Sequence, residues 1–323
     1  MNPTDNIRGA LTGPSVVKAH LAILSANLCW GINSPVTKAV LLDGTIQPLA
    51  LSAIRIGGAA VIFLILSFIL PASAAPRERI EKGDIWKLIA ASVLMISVNQ
   101  GLYIVGVGYT NPIDSAVMCS VTPLITMIFA AWFLHYPVTR LKLLGVLIGM
   151  GGVIMLVGGN RAGATASNPV LGDLMCLGAQ VAAALYYVLF IKLINRYHPF
   201  TLMKWMFFIS AVTYVPLCSP SIAAIDFPAV SLQAWLGVAF IIVFATVLGY
   251  LAIPYAQRQL KPTVVSIYNY VQPVAAAIVS VWLGIGSLGL LKLAAIALIF
   301  AGVYFVTRAS QTQKTTAGQA DSD

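Results

Sequence analysis

Apolar runs long enough to cross a bilayer as helices, about 20 residues each, alternate with short polar or proline-bearing links along almost the whole chain. The runs fall at approximately 19–40, 48–70, 86–108, 113–134, 139–158, 172–192, 200–219, 231–256, 263–283 and 288–307. Links such as Asp43-Gly44, Pro71 to Asp84, Gly158 to Gly172 and Pro220 to Pro228 separate them. The pattern predicts an all-α membrane protein with ten transmembrane helices. A segment 1–18 precedes them, and a polar tail, 308–323, follows and is expected to be disordered. The first run, with Trp30, Asn33 and Lys38, is too long and polar for a signal-peptide core, so the amino terminus is expected to be retained.

Two of these runs are near copies. Pro112 to Leu134 contains Val121-Thr122-Pro123-Leu124 and Trp132; Pro262 to Gly284 contains Val271-Gln272-Pro273-Val274 and Trp282, each landmark displaced by 150 residues. Lys142 and Gly152 match Lys292 and Gly302 at the same shift, while Pro48 matches Pro199 at 151 and Lys38 matches Lys192 at 154. The chain therefore reads as two five-span halves, 19–158 and 172–307, joined by an external linker, 159–171. Five is odd, so the second half enters the membrane upside down relative to the first. Inverted repeats support alternating access, and bent helices at matching places in the two halves point to a binding site. Pro123 and Pro273 each remove a backbone hydrogen bond in mid-run; a single such proline is better read as setting helix shape for packing, but two at the same place in a repeat are candidate hinges.

Only 9% of the 323 residues are charged and 59% are hydrophobic; soluble domains carry about 25% charged residues. The net charge of +9 does not indicate nucleic acid, because the basic residues are scattered singly between apolar runs. With the amino terminus inside, the inner segments hold 14 of the 19 Lys and Arg, the outer loops hold Arg161 alone, and Lys38, Arg55, Lys204 and Lys292 fall within spans. Both termini are thus expected in the cytoplasm. Four cysteines lie in apolar runs without CxxC spacing, and His20, His135 and His198 have no second ligand at helical spacing, so neither a metal nor a cofactor is expected.

Polar side chains at bilayer depth face a cavity or another helix. The chain offers many amides and phenols there and few charges. Asn33, Arg55, Asn99, Tyr103, Thr122, Tyr187, Tyr250, Tyr268, Asn269 and Gln272 form the candidate substrate-binding set. Such a lining hydrogen-bonds a zwitterion and stacks on an apolar or aromatic group; helix–helix bonding is the competing role for each member. All ten carboxylates fall outside the midplane, which favours uniport or exchange over proton coupling. Asn111-Pro112-Ile113-Asp114 reads as N-cap, N1 proline and an acid in the first turn. Arg55, about 12 Å into its span at 1.5 Å per residue, must snorkel, pair or meet a ligand, and Lys38 is expected to snorkel outward. No paired aspartates at depth, His-rich cluster or Ser/His pair suggests an enzyme.

At this point the chain resembles the EamA branch of the drug/metabolite transporter superfamily, over roughly Ala19 to Thr307. Trp30-Gly31-Ile32-Asn33 with Lys38 is similar to the family's W-G-x-N and following Lys, Pro48 and Arg55 to its P…R spacing, Tyr103-x-x-Gly106-x-x-Tyr109-Thr110 to its Y-x-x-A-x-x-Y-T, and Gly145 with Gly152 and Ala295 with Gly302 to its G-x6-G run. The family's Leu-Gly-Glu after spans four and nine is replaced by Leu134-His135-Tyr136 and Leu283-Gly284-Ile285. The resemblance implies two inverted five-helix EamA repeats in a cell (inner) membrane. It also implies export of small metabolites, amino acids first, by a monomer or homodimer. Efflux of drugs or organic cations is the alternative within the class, disfavoured by the missing midplane acids; a non-transporting membrane scaffold is the alternative outside it.

Overall fold

In lipid every backbone N–H and C=O needs an internal partner, so apolar runs of this length resolve as helices. The computed structural model describes residues 14–135, 138–159, 166–257, 268, 271–286 and 288–320, and among the described residues there is no strand. The helices are α1 (Pro14–Leu42), α2 (Pro48–Ile69), α3 (Lys82–Tyr109), α4 (Pro112–Phe133), α5 (Arg140–Gly159), α6 (Pro169–Leu189), α7 (Pro199–Leu217), α8 (Leu232–Ile242 continuing to Gly249–Gln257), α9 (Val271–Trp282) and α10 (Leu290–Ala320). Among the described residues six of them, α2, α3, α4, α6, α7 and α8, are long and apolar enough to cross a membrane, and α9 and the apolar part of α10 are shorter. α1 and α5 cover the predicted spans one and five. Helix starts follow simple chemistry. Pro48, Pro112, Pro169 and Pro199 occupy first positions, where a missing N–H costs nothing. Asn168 and Ser231 cap the starts of α6 and α8, accepting from Leu171 N at 3.2 Å and Ala234 N at 3.1 Å.

The repeat is visible in the backbone. α3 contains a π-turn at Val93–Val98 and α8 another at Val243–Leu248, the same 150 residues apart at both ends. α4 ends with His135 in the left-handed region (φ 54°), and α9 ends with Gly284 there (φ 70°). The sequence predicts that the proline of α4 bends a continuous helix, and the structure differs. The helix stops at Cys119 and restarts at Thr122, with Pro123 in the first turn of the new segment, where its lost N–H had no helical partner. Pro273 lies at the equivalent place, the third residue of α9. The polar tail differs too. α10 runs on to Ala320, because nothing from Ala309 to Ala317 breaks a helix that the apolar turns have already nucleated.

Each half lends its first helix to the other. α1 packs chiefly on α8 and α9, and α6 chiefly on α3 and α4. The fifth helices pack on each other. A Cβ on Gly145 would lie 2.7 Å from Gly302 O, and one on Gly152 would lie 2.8 Å from Ala295 O. Gly145 is the repeat equivalent of Ala295, and Gly152 of Gly302. The pairing is therefore reciprocal and antiparallel, with bare backbones in contact as in small-residue membrane crossings.

The buried apolar side chains form two clusters. One includes Leu51, Ile104, Ile241 and Ala184; the other includes Ile56, Ile96, Val247 and Phe207. Along α2, α3 and α8 the chain passes from one cluster to the other across a short polar stretch: Ser52 and Arg55, Asn99 and Gln100, and Thr246. A polar belt thus crosses the molecule between two apolar layers. Beyond the layers the ends are tied by polar links. Arg196, after α6, donates to Asp84 and Glu81, both at 2.7 Å. At the other end Ser231 donates to Asp43 at 2.9 Å, and hydrogen bonds from Thr45 and Ser231 hold the Asp43 carboxyl below its usual range.

Candidate functional site: a polar belt around Arg55

Arg55 is the charged member of the belt, 5% exposed. Its Nε donates to Thr246 Oγ1 at 2.8 Å. Thr246 lies in the π-turn of α8 and donates its own proton to the carbonyl of Ile241, five residues back, at 2.8 Å. A π-turn withdraws a carbonyl from the regular ladder, and this one is satisfied by a side chain. A second carbonyl of the same stretch, Ala245 O, accepts from Trp30 Nε1 at 2.8 Å. Among the described residues no carboxylate pairs with Arg55 and no group accepts from its Nη atoms.

Two tyrosines lie near this arginine, and further rings and an amide lie against one of them. Tyr250 and Tyr103 lie within electrostatic range of it, as does Cys119. Tyr250 meets Trp30 edge-on at 6.0 Å and Phe207 edge-on at 5.6 Å. Its hydroxyl accepts from Gln100 Nε2 at 3.3 Å. Gln100 and Tyr250 are themselves repeat equivalents, 150 residues apart, so their contact marks where the two halves meet on their shared axis. Tyr187 is within range of Tyr250 yet keeps 42% of its surface accessible. Two acceptors, Gln100 Oε1 in the belt and Asn33 Oδ1 on α1, are buried without a hydrogen-bond partner among the described residues. Buried polar atoms in this condition cost free energy unless a ligand or water meets them.

The sequence-predicted residues divide on this geometry. Arg55, Tyr103 and Tyr250 come together, Tyr187 lies within range of Tyr250, and Asn33 lies one turn from Trp30 on the same face of α1. Asn99 instead donates to Ala179 O at 2.6 Å and ties α3 to α6. Thr122 shares its proton between Cys119 O and Gln180 Oε1, both at 2.8 Å, and ties α4 to α6. Gln272 donates to Asn27 Oδ1 at 2.8 Å, tying α9 to α1. Tyr268 meets His20 Nδ1 at 2.9 Å, near the amino-terminal end of α1 and away from Arg55. Asn269 lies outside the described residues.

Three assignments change. Lys38 does not snorkel: it is buried, and its Nζ donates to Val107 O at 3.1 Å and Gly108 O at 2.6 Å, capping the last turn of α3. Asp114 does more than serve a helix dipole: it receives Lys292 Nζ at 2.8 Å, an ion pair between the two halves. Asn111 holds the N-cap position, but its side chain donates to Asp114 at 3.0 Å rather than accepting. Thr246 is absent from the candidate set; its one sequence signal is a lone hydroxyl in the apolar run from Val243 to Leu248. Among the described residues no three His, Cys, Asp or Glu side chains converge as a metal site would require.

Comparison with known proteins gives this geometry its context. The chain is 24% identical over 245 residues to the uncharacterized transporter YyaM of Bacillus subtilis (strain 168), covering 75% of this chain and 78% of that one. It is 26% identical over 308 residues to the uncharacterized transporter YvbV of the same organism, covering 93% and 95%. To the uncharacterized inner membrane transporter YedA of Escherichia coli (strain K12) it is 27% identical over 217 residues, covering 67% and 68%. One crystal structure superposes with a TM-score of 0.60 at 16% identity, over 91% of this chain and 98% of that one, which establishes likeness of fold. The profile of the EamA-like transporter family matches twice, at residues 17–158 and 170–308, so both halves of this membrane protein are copies of one domain and the chain belongs to the EamA-like transporter family.

Proposed function

We propose that this transporter exports small metabolites, amino acids first, by alternating access about the polar belt. Both termini lie in the cytoplasm, and the membrane is the cell's inner one. The observation that carries the reading is Arg55: a cation buried between two apolar layers, without a described carboxylate partner, near Tyr103 and Tyr250, with Trp30 and Tyr187 beside Tyr250. A charge in that position is costly unless something anionic visits it. The rings offer an apolar and π-rich wall, and the oxygens of Asn33 and Gln100, unpartnered among the described residues, are acceptors for an ammonium or amide group. Together these suit a zwitterion with an apolar side chain.

The inverted arrangement of the halves is supported by the antiparallel meeting of the equivalent helices α5 and α10. The contact of Gln100 with Tyr250 on the repeat axis supports a mechanism in which the two halves exchange conformations around a fixed site. Among the described residues the belt holds no Asp or Glu, which favours uniport or exchange over proton coupling.

Purified protein in liposomes loaded with an equimolar mixture of labelled L-amino acids tests the proposal. Wild type releases label faster than protein-free liposomes and does not accumulate it when only a pH gradient is imposed. Arg55→Gln releases it at least tenfold more slowly, with unchanged yield and gel-filtration profile. Wild-type rates in Arg55→Gln, or wild-type rates no faster than bare lipid, would contradict it.

A further inference from the structure

We propose that Thr246 is a positioning residue: fixed in the π-turn of α8, it holds Nε of Arg55 so that the Nη edge of the guanidinium faces the belt, and the site takes a solute bearing a carboxylate or similar planar oxyanion. This rests on the reading of Arg55 given above and deepens it. The hydroxyl of Thr246 has one proton, and that proton is committed to the carbonyl of Ile241. Its oxygen is left as an acceptor in a fixed direction, and Nε occupies it. With Nε engaged, the guanidinium keeps the two Nη nitrogens as a fork, the geometry that grips a carboxylate through two parallel hydrogen bonds.

The chain carries its own control. The repeat places Met206 of α7 where α2 has Arg55, 151 residues on, and Ile96 of α3 where α8 has Thr246, 150 residues back. Both are fully buried and belong to the same apolar cluster. Each crossing includes a π-turn, yet at these two positions the sister crossing has a thioether and a sec-butyl side chain, and its side-chain bond among the described residues is neutral, from Ser210 to Ser92 O at 3.0 Å. The architecture therefore does not need an arginine or a threonine there. The first crossing keeps a buried charge, and a hydroxyl to aim it, where the second shows that an apolar pair suffices.

Phenylglyoxal, which condenses with the Nη nitrogens of arginine, reads this edge without knowledge of the natural solute. The full-length protein is labelled in detergent, and Arg55 is followed by peptide mass spectrometry. Wild-type Arg55 reacts, and Thr246→Ser stays within threefold of it. Thr246→Val leaves the Ile241 carbonyl open, the Nη edge swings onto it, and Arg55 reacts at least tenfold more slowly. Equal labelling of Thr246→Val and wild type overturns the proposal while leaving Arg55 as a binding residue; an unreactive wild-type Arg55 also overturns it. Labelled wild type with undiminished amino-acid flux overturns the reading of Arg55 itself. The double variant Arg55→Met with Thr246→Ile copies the sister crossing. It is expected to accumulate as folded protein without flux, and if it cannot fold, the pair is structural and the proposal fails.

Discussion

Lys38 and Arg55 are both buried cations in apolar helices, and they are satisfied in opposite ways. Lys38 spends its ammonium on two backbone carbonyls at the end of α3, which no intrahelical N–H can reach. Arg55 gives one of its nitrogens to Thr246, and among the described residues nothing accepts from the other two. Lys38→Met keeps the packing of the stem but strands those carbonyls, so it is expected to lower stability by about 2–3 kcal/mol, measured as a fall in midpoint on thermal or denaturant unfolding in detergent. Arg55→Gln is expected to leave that midpoint near wild type and to act on flux. Depth alone distinguishes neither residue in the sequence: position along a span is legible, but the carbonyls that a long side chain reaches belong to another helix. For the same reason Asp114 reads locally as a first-turn acid, although its cationic partner Lys292 is 178 residues away.

At the scale of the helix, the proline starts were legible and the irregularities were not. Prolines at first positions obey a rule that acts within one turn, whereas the cap Asn168 falls in the stretch that reads as linker, and Asn111 donates where an accepting cap is expected. The π-turns of α3 and α8 leave no local signature, because Val93–Val98 and Val243–Leu248 are ordinary apolar sequence. In α8 the carbonyls there are taken up by Thr246 of the same turn and by Trp30 of α1, and the second of these is a tertiary effect. The glycines of α5 and α10 could be counted from sequence, but their pairing across the repeat could not. A Cβ at Gly302 would lie 2.5 Å from Gly145 O and 2.6 Å from Gly149 Cα, so the helices would have to separate. Gly302→Val is expected to destabilise the protein by about 3 kcal/mol or more, the upper range for overpacking, read as loss of folded protein at the gel-filtration peak. Gly151, whose Cβ would meet nothing within 4 Å, is the matched control, and Gly151→Ala is expected to be neutral.

For the whole molecule, duplication explains most of what is seen. It accounts for the equivalent π-turns, the reciprocal glycine crossing and the exchange of first helices between halves. The shift of 150 residues is plain in the sequence, as is the number of apolar runs. What the sequence could not reveal is where symmetry is broken. Arg55 and Thr246 have Met206 and Ile96 as their counterparts, so among the described residues one of two like crossings carries a charge at these positions and the other does not. Asn99, Thr122 and Gln272 look equally suited to a substrate, yet each is already bonded between helices. The central claim is that the belt around Arg55 opens in turn to each side of the membrane. Tyr187, accessible beside Tyr250, reports on this most directly. In a background with the four native cysteines replaced, Tyr187→Cys in oriented proteoliposomes is predicted to react with a membrane-impermeant thiol reagent added on either side, each rate changing when a transported amino acid is present. A cysteine there that stays unreactive from both sides in every condition would contradict the account.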